Sequence, residues 1–106
     1  MNKNQFKSVL AELKRELKTA LKDKMSGLIL FGSYARGEQL QDSDIDCLLI
    51  LKSPLSKDEE KKVSRISAKI SLKYDTVIVC LDYLESEFAA KSTPLLLNVR
   101  KEGIRV

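Results

Sequence analysis

Two apolar runs, separated by a Gly-Ser turn and a pair of aspartates, constrain the fold of this chain more than any other feature. The stretch from Leu28 to Leu51 reads LILFGSYARGEQLQDSDIDCLLIL. Each run has the composition of a buried strand, yet the second begins with Asp44 and Asp46. Side chains alternate along a strand, so both carboxylates face the same way, roughly 7 Å apart. Such charges repel each other unless a cation lies between them, which indicates a functional site here.

Length and composition set the general class of the protein. The 106 residues suffice for one hydrophobic core, so we expect a single domain over 1–106. No apolar run approaches the roughly 20 residues of a membrane-spanning helix. The charged N-terminus lacks a secretory core, which predicts a cytoplasmic protein without membrane association. Cys47 and Cys80 lie in apolar runs and are expected to be buried free thiols.

The absence of histidine limits the chemistry that this chain can perform. It excludes Ser-His and Cys-His nucleophilic mechanisms and removes the commonest metal ligand. Catalysis would therefore depend on carboxylates, lysine, or metal ions held by oxygen. The net charge of +4 comes largely from basic residues in the first predicted helix. Since no aromatic residues alternate with them, a solvated helix face is favoured over a nucleic-acid site.

Hydrophobic spacing and capping residues predict an α/β domain in the order α-β-α-β-α-β-α-α, with a mixed sheet of three or four strands. The predicted strands are 28–31, 44–51 and 75–81, and the second is apolar enough on both faces to be central. The predicted helices are about 4–23, one or two turns from Ser33, a Ser56–Glu59 capping box to about Lys73, a helix capped by Asp82 and Glu85, and Thr93–Pro94 to Gly103.

The expected topology brings the polar residues together. An antiparallel first pair of strands and a parallel crossover to the third would place Gly32-Ser33, Asp44, Asp46 and Asp75 at one edge of the sheet. Three carboxylates could hold two metal ions about 3.5–4 Å apart, and Mg²⁺ prefers carboxylates completed by phosphates. Gly32 permits close backbone approach, and Ser33 offers donors at a helix N-terminus. Separately, each could be only a turn or cap residue; the joint spacing favours a site.

The spacing of these residues resembles a known signature. Gly32-Ser33, ten intervening residues and Asp44-Ile45-Asp46 resemble the nucleotidyltransferase motif of the DNA polymerase β superfamily. The segment GSYARGE…SDIDCLLI is most similar to the minimal nucleotidyltransferases, small prokaryotic proteins often encoded beside HEPN-domain partners. The resemblance extends to the first helix, the YDTVIV strand and the closing TPLLLNVRKEGI segment, and so covers most of the chain.

The resemblance implies specific roles for individual residues. Gly32 and Ser33 match the phosphate-contacting positions, and Asp44 and Asp46 match ligands of Mg²⁺. Asp75 matches a third acid that binds metal and assists deprotonation of the acceptor hydroxyl. The remaining assignments concern two further residues: Arg36 either supports the turn or contacts phosphate, and Asp82 is a competing third acid with a capping role.

The function implied by this resemblance is transfer of AMP from ATP, with two Mg²⁺ ions, to a hydroxyl group. The acceptor is expected to be a tyrosine of a HEPN-domain toxin, which would make this chain its antitoxin. Two alternatives remain open: a binding module that neutralises its partner by occlusion, and a small-molecule nucleotidyltransferase completed by homodimerisation.

The last predicted helix carries a separate expectation about partner binding. Three consecutive leucines, Leu95, Leu96 and Leu97, cannot all face one core on a helix. At least one should therefore be exposed, and we expect the first and last helices to carry the partner surface.

Overall fold

The computed structural model describes residues 1–40 and 42–106. A short 3₁₀ turn, Lys22–Lys24, joins the first helix to the first strand. The helices and strands in chain order are α1 (Lys3–Leu21), β1 (Met25–Phe31), α2 (Ser33–Arg36), β2 (Ile45–Leu51), α3 (Lys57–Lys73), β3 (Ile78–Leu84), α4 (Glu85–Ala90), α5 (Pro94–Glu102) and β4 (Ile104–Arg105). Across the described ranges, no helix combines the length and apolarity needed to cross a membrane.

The strands form one mixed sheet in the order β3-β2-β1-β4. β1 is antiparallel to both β2 and β4, whereas β2 is parallel to β3. The central position of β2 follows from its composition, because every residue of the strand except Asp46 is buried. These observations confirm the predicted α/β fold and strand directions, and they add β4 as a fourth strand.

Helices cover the two faces of the sheet unequally. α1 and α3 pack on one face and enclose a first core whose buried members include Leu13, Leu49 and Ile70. The opposite face, beneath α5, has a second and smaller core. The buried members of the second core are Ile29, Leu48, Ile50, Leu96 and Val99. Alternation along β2 sends neighbouring residues to different cores.

Side-chain caps fix the helix ends that the sequence predicts. The Ser56 hydroxyl accepts a hydrogen bond from the Glu59 N–H at 3.1 Å, and the Glu59 carboxylate accepts from the Ser56 N–H at 2.8 Å. This reciprocal capping box opens α3 as expected. Thr93 caps α5 through the Leu96 N–H at 3.3 Å, and Gly103 is the C-cap.

The third strand begins later than predicted. Residues 75–77 lie before β3, because α3 ends in a Schellman arrangement. The Thr76 N–H donates to the Ser71 carbonyl at 3.0 Å, and the Asp75 N–H donates to the Leu72 carbonyl at 3.4 Å. Asp75 has a left-handed φ of 51°. The prediction that this residue enters the strand is therefore wrong, since Asp75 terminates the preceding helix.

The predicted cap at Asp82 is also wrong. Asp82 lies within β3, where its Cα is paired with that of Leu49. β3 extends to Leu84 because Tyr83 packs against the second core and Leu84 against the first. The helix α4 is capped instead by Glu87, whose carboxylate accepts a hydrogen bond from the Leu84 N–H at 3.2 Å.

The two cysteines are free thiols, paired across β2 and β3. Cys47 is buried as predicted, whereas Cys80 is only half-buried. Burial raises the pKa of each thiol to about 12, so both remain protonated near neutral pH. They therefore act as small apolar side chains.

Candidate active site

The carboxylate pair lies at the start of β2, on the face of the second core. Ile45 and Cys47 are buried in the first core, so Asp46 points to the opposite face with Leu48. Asp46 is half-buried, whereas Asp44, which precedes the strand, is exposed. The central strand thus carries one carboxylate into a partly desolvated position and leaves the other in solvent.

The environment of Asp46 disfavours its negative charge. Burial is the largest cause that raises the pKa of this carboxyl, and the charge of Asp44 raises it further. The guanidinium of Arg36 acts in the opposite direction but does not cancel these effects. A cation bound between the two carboxylates would reverse the balance, because it favours both charged forms.

The backbone of Gly32 lies directly against the Asp46 carboxylate. Gly32 has φ 75°, in the region that favours glycine. A Cβ atom added to Gly32 would lie 3.2 Å from Cγ and 3.3 Å from Cβ of Asp46, and still closer to the carboxylate oxygen. Any side chain here would displace that carboxylate. The glycine therefore brings the Gly-Ser turn into contact with the acidic pair, as the sequence predicts.

The helix that follows this turn is a single turn long. The N–H groups of Ala35 and Arg36 donate to the Gly32 carbonyl at 3.1 and 3.2 Å. The helix ends at Gly37, which has φ 71°. The N–H groups of Ser33 and Tyr34 belong to the first turn, where no intrahelical acceptor exists. With the Ser33 hydroxyl, they form a set of donors next to Asp46 that suits an anion.

Arg36 connects α2 to the end of α5. Its Nε donates to Glu38 at 3.0 Å, and a terminal nitrogen lies 3.5 Å from Glu102. The hydrogen bond that Arg36 donates to Glu38 is the main cause that raises the pKa of Arg36. Of the two roles predicted for Arg36, these contacts favour support of the turn. Sequence reasoning missed Glu102, because no local pattern indicates a contact 66 residues away.

The structure does not bring Asp75 to the acidic pair. Among residues 1–40 and 42–106, no group of three or more Asp, Glu, Cys or His side chains could hold a metal ion. Asp75 lines a shallow cavity of about 230 Å³ with Asp42, Ser43, Thr76 and Val77. The expected convergence of three carboxylates therefore has geometric support for two only.

Valine occupies the position of β3 that lies beside Asp46. The Cα atoms of Asp46 and Val79 are partners in the parallel pairing of β2 and β3. Side chains of paired residues lie on the same face of a sheet, so Val79 is the neighbour of Asp46 on that strand. Once the start of β3 at Ile78 is known, strand alternation places Val79 on the face of Asp46.

The donor set of the site suits one hard cation better than two. Mg²⁺ in nucleotide sites is usually held by one or two carboxylates, with water and phosphate oxygens completing its octahedron. Asp46 and the neighbouring Asp44, whose charge acts on it, supply such a pair. A second ion would need further anionic ligands from protein, and the described residues place no third carboxylate there.

Comparison with known proteins gives a consistent result. The family model described as a nucleotidyltransferase domain matches residues 10–102. A protein of Methanocaldococcus jannaschii, named "Putative protein adenylyltransferase MJ0141", is 41% identical over 98 residues, which cover 92% of this chain and 95% of the relative.

Solved structures share the fold. One chain of a complex between a tri-AMPylated Shewanella oneidensis HEPN toxin and an MNT antitoxin aligns with a TM-score of 0.62 and 19% identity, over 93% of this chain and 69% of that chain. Spectinomycin adenyltransferase AAD(9) from Enterococcus faecialis, with ATP and spectinomycin, aligns with a TM-score of 0.65 and 25% identity. That alignment covers 83% of this chain and 38% of the other.

Proposed function

This chain belongs to the nucleotidyltransferase domain family, and we propose that it transfers AMP from ATP to a hydroxyl group of a partner protein. The contact between Gly32 and the Asp46 carboxylate carries this proposal. It places hydrogen-bond donors, which suit a phosphate, beside carboxylates, which suit a cation. A nucleoside triphosphate with its divalent cation satisfies both at once.

The Gly-Ser turn would bind the phosphates. Gly32 lets the backbone approach closely, and Ser33 offers its N–H and hydroxyl as donors. Hydrogen bonds to an ionised acceptor are stronger than those between neutral groups, so this short turn can orient the triphosphate. Arg36 would not contact the phosphates but would position the turn, since its ion pairs to Glu38 and Glu102 hold α2 against α5.

Asp44 and Asp46 would hold Mg²⁺. The cation, when bound, supplies electrostatic stabilisation of negative charge on the reacting phosphate. The chain's own contribution is to keep the two carboxylates close enough to interact and to shield Asp46 partly from water. This placement costs stability in the absence of a cation, as the raised pKa of Asp46 indicates.

The proposed acceptor is a tyrosine hydroxyl of a HEPN-domain toxin, which makes this chain the antitoxin. Two comparisons support the proposal: a relative at 41% identity is named "Putative protein adenylyltransferase MJ0141", and a structural neighbour is one chain of a complex between an AMPylated HEPN toxin and an MNT antitoxin. We retain a cytoplasmic location and a single domain over 1–106 as parts of this proposal.

The test is incubation of the protein with Mg²⁺, α-labelled ATP and the protein encoded beside it, which the proposal expects to be a HEPN-domain toxin, followed by intact-mass measurement. We expect one or more AMP adducts on the partner. Asp46→Asn should lose the adduct, whereas the matched variant Asp42→Asn, at an exposed position before the pair, should retain it. A wild-type protein that binds the partner and ATP without any adduct would contradict enzymatic transfer.

A second candidate is neutralisation by occlusion, with nucleotide transfer absent. The observation that favours it is the missing third carboxylate beside Asp44 and Asp46. In the same experiment it predicts a stable complex with no label on either protein. Asp46→Asn would then protect cells from the toxin as well as the wild type does.

A further inference from the structure

We infer that this chain supplies only a two-carboxylate site, in which Val79 stands where a third carboxylate would complete it, and that the base for the acceptor hydroxyl comes from the acceptor protein. The inference rests on the proposed function, since it concerns the same site. It follows from the register of the sheet and from the placement of every acid on β3 and at its entrance.

The register decides which residues of β3 can reach the pair. β2 and β3 are parallel, with Ile45 opposite Ile78 and Asp46 opposite Val79. Ile78 packs in the first core, so Val79 lies on the other face, with Asp46. The site neighbour on the adjacent strand is therefore apolar and half-buried.

The two acids of this segment are placed elsewhere for structural reasons. Asp75 is the left-handed residue that ends α3, and it lines a cavity to which neither Asp44 nor Asp46 contributes. Asp82 lies on the first-core face of β3, near the Cys80 thiol whose pKa its charge helps to raise. Neither position directs a carboxylate to the pair.

The acids nearest to Arg36 are also engaged. Glu38 and Glu102 both contact its guanidinium. The chain contains no histidine. Histidine, aspartate and glutamate are the side chains that most often act as general base. Within the described ranges, the only ones at this site are Asp44 and Asp46 themselves.

In the proposed transfer, one bond to the α-phosphorus of ATP forms and another breaks. The acceptor oxygen forms a bond to the α-phosphorus of ATP, and the bond from that phosphorus to the bridging oxygen of the β-phosphate breaks. Pyrophosphate leaves with the electron pair. The hydroxyl proton passes to a carboxylate on the acceptor protein, beside the modified residue.

Metal stoichiometry gives a test that does not depend on transfer. We expect the wild-type protein with a non-hydrolysable ATP analogue to bind about one Mn²⁺ per complex, and Val79→Asp to bind about two, measured by electron paramagnetic resonance. Val79→Asn is the matched control, because it has the same shape without the charge and should bind as the wild type does.

Asp75→Asn tests the competing assignment and should leave the stoichiometry unchanged. If the wild type binds two ions and Asp75→Asn binds one, the inference is overturned. If Val79→Asp does not fold, Val79→Glu replaces it, with Val79→Gln as its control, because the longer side chain can carry its charge further out of this half-buried position. A folded acidic variant at this position that binds no more Mn²⁺ than its amide counterpart also overturns the inference.

Transfer to a peptide separates the role of the base. The acceptor is a tyrosine peptide without acidic residues, at high concentration, so that it supplies no carboxylate. Val79→Asp should transfer AMP to it roughly 10²-fold faster than Val79→Asn, the usual contribution of a general base. Equal rates would overturn the inference. Failure of the proposed function is distinguishable, because the wild type would then not label the HEPN-domain protein either.

Discussion

The two faces of the sheet are built for different purposes. Among the described residues, the face under α1 and α3 holds the first core, with fourteen buried residues, whereas the face under α5 holds the second core, with five. Ion pairs between Glu12 and Lys73 and between Glu16 and Lys69 join α1 to α3. The acidic pair and the Gly-Ser turn meet at one end of the thinner face. The larger core and the acidic pair thus lie on opposite faces of the sheet.

The separation has a physical advantage. A site that concentrates negative charge and leaves Asp46 partly desolvated costs free energy of folding. The first core can offset that cost without placing helices over the site. β2 contributes to both cores, since alternate residues of the strand face opposite sides of the sheet. We therefore expect substitutions in the first core to change mainly stability and substitutions at the acidic pair to change mainly activity.

The largest expected effects come from two adjacent leucines of β2. Leu48 and Leu49 are both fully buried, but Leu48 lies in the second core and Leu49 in the first. We expect Leu49→Ala to lower the free energy of unfolding by about 3–5 kcal/mol and Leu48→Ala by about 2–3 kcal/mol, because the smaller core can relax around the cavity. Urea denaturation measures both. An equal or larger cost for Leu48→Ala would break the comparison.

Asp46→Asn should separate activity from stability. We expect transfer to fall roughly 10²-fold or more, since an amide replaces an anionic group of the site. Without Mg²⁺, the variant should melt at the same temperature as the wild type or higher. The pKa of Asp46 is raised in the folded state, so its charge destabilises the wild type as pH rises through and above the ordinary range of an aspartate.

The pH dependence sharpens this prediction. The advantage of Asp46→Asn should be absent at low pH, where Asp46 is protonated in folded and unfolded chains alike. It should be complete above the raised pKa. Melting curves across this range, with Asp42→Asn as control, provide the measurement. A variant that melts well below the wild type without metal would make Asp46 a structural residue instead.

Leu97 tests whether the thinner face also carries the partner. The expectation that one of three leucines is exposed is confirmed, since Leu96 is fully buried and Leu97 is 50% exposed. We expect Leu97→Lys to weaken binding of the HEPN-domain partner about tenfold, or roughly 1.4 kcal/mol. Leu72→Lys is the matched control, because Leu72 is more exposed but lies on α3. If calorimetry finds that the wild type and Leu97→Lys bind the partner with equal affinity, the partner surface lies elsewhere.

The sequence predicts the elements whose signals are local. The helix ends follow from caps such as Ser56 and Thr93, and the central position of β2 follows from its apolar composition. The contact of Gly32 with Asp46 also follows, because an antiparallel pairing places the end of β1 beside the start of β2. In each case the deciding residues are close in the sequence or belong to paired strands.

The errors concern the boundaries of β3. An aspartate before an apolar run resembles a strand entrance, but Asp75 adopts the left-handed conformation that ends α3. The strand begins at Ile78 and not at Asp75, so Val79 is the residue of β3 that lies beside Asp46. The number of carboxylates at the site therefore depends on a helix end, which capping rules place only to within one or two residues.

The smallest expected effect lies far from the site, where Glu59 joins α3 to the 3₁₀ turn that follows α1. Hydrogen bonds from the Lys24 ammonium and the Ser56 N–H lower the pKa of Glu59 to about 2. A lowered pKa contributes stability above the ordinary value of a glutamate, and this contribution is lost as pH falls toward about 2. Glu59→Gln should therefore melt slightly below the wild type at pH 7, and the difference should vanish in acid.

Glutamine keeps the capping acceptor, so this substitution isolates the charge. Glu60→Gln is the control, because Glu60 lies in the same first turn of α3 and matches the change in helix-dipole interaction. Nucleotide transfer should be unchanged in both variants, since neither residue lies on the face of the acidic pair. A loss of transfer in Glu59→Gln without a change in melting would show that the two faces are coupled, and would end the separation on which the other predictions depend.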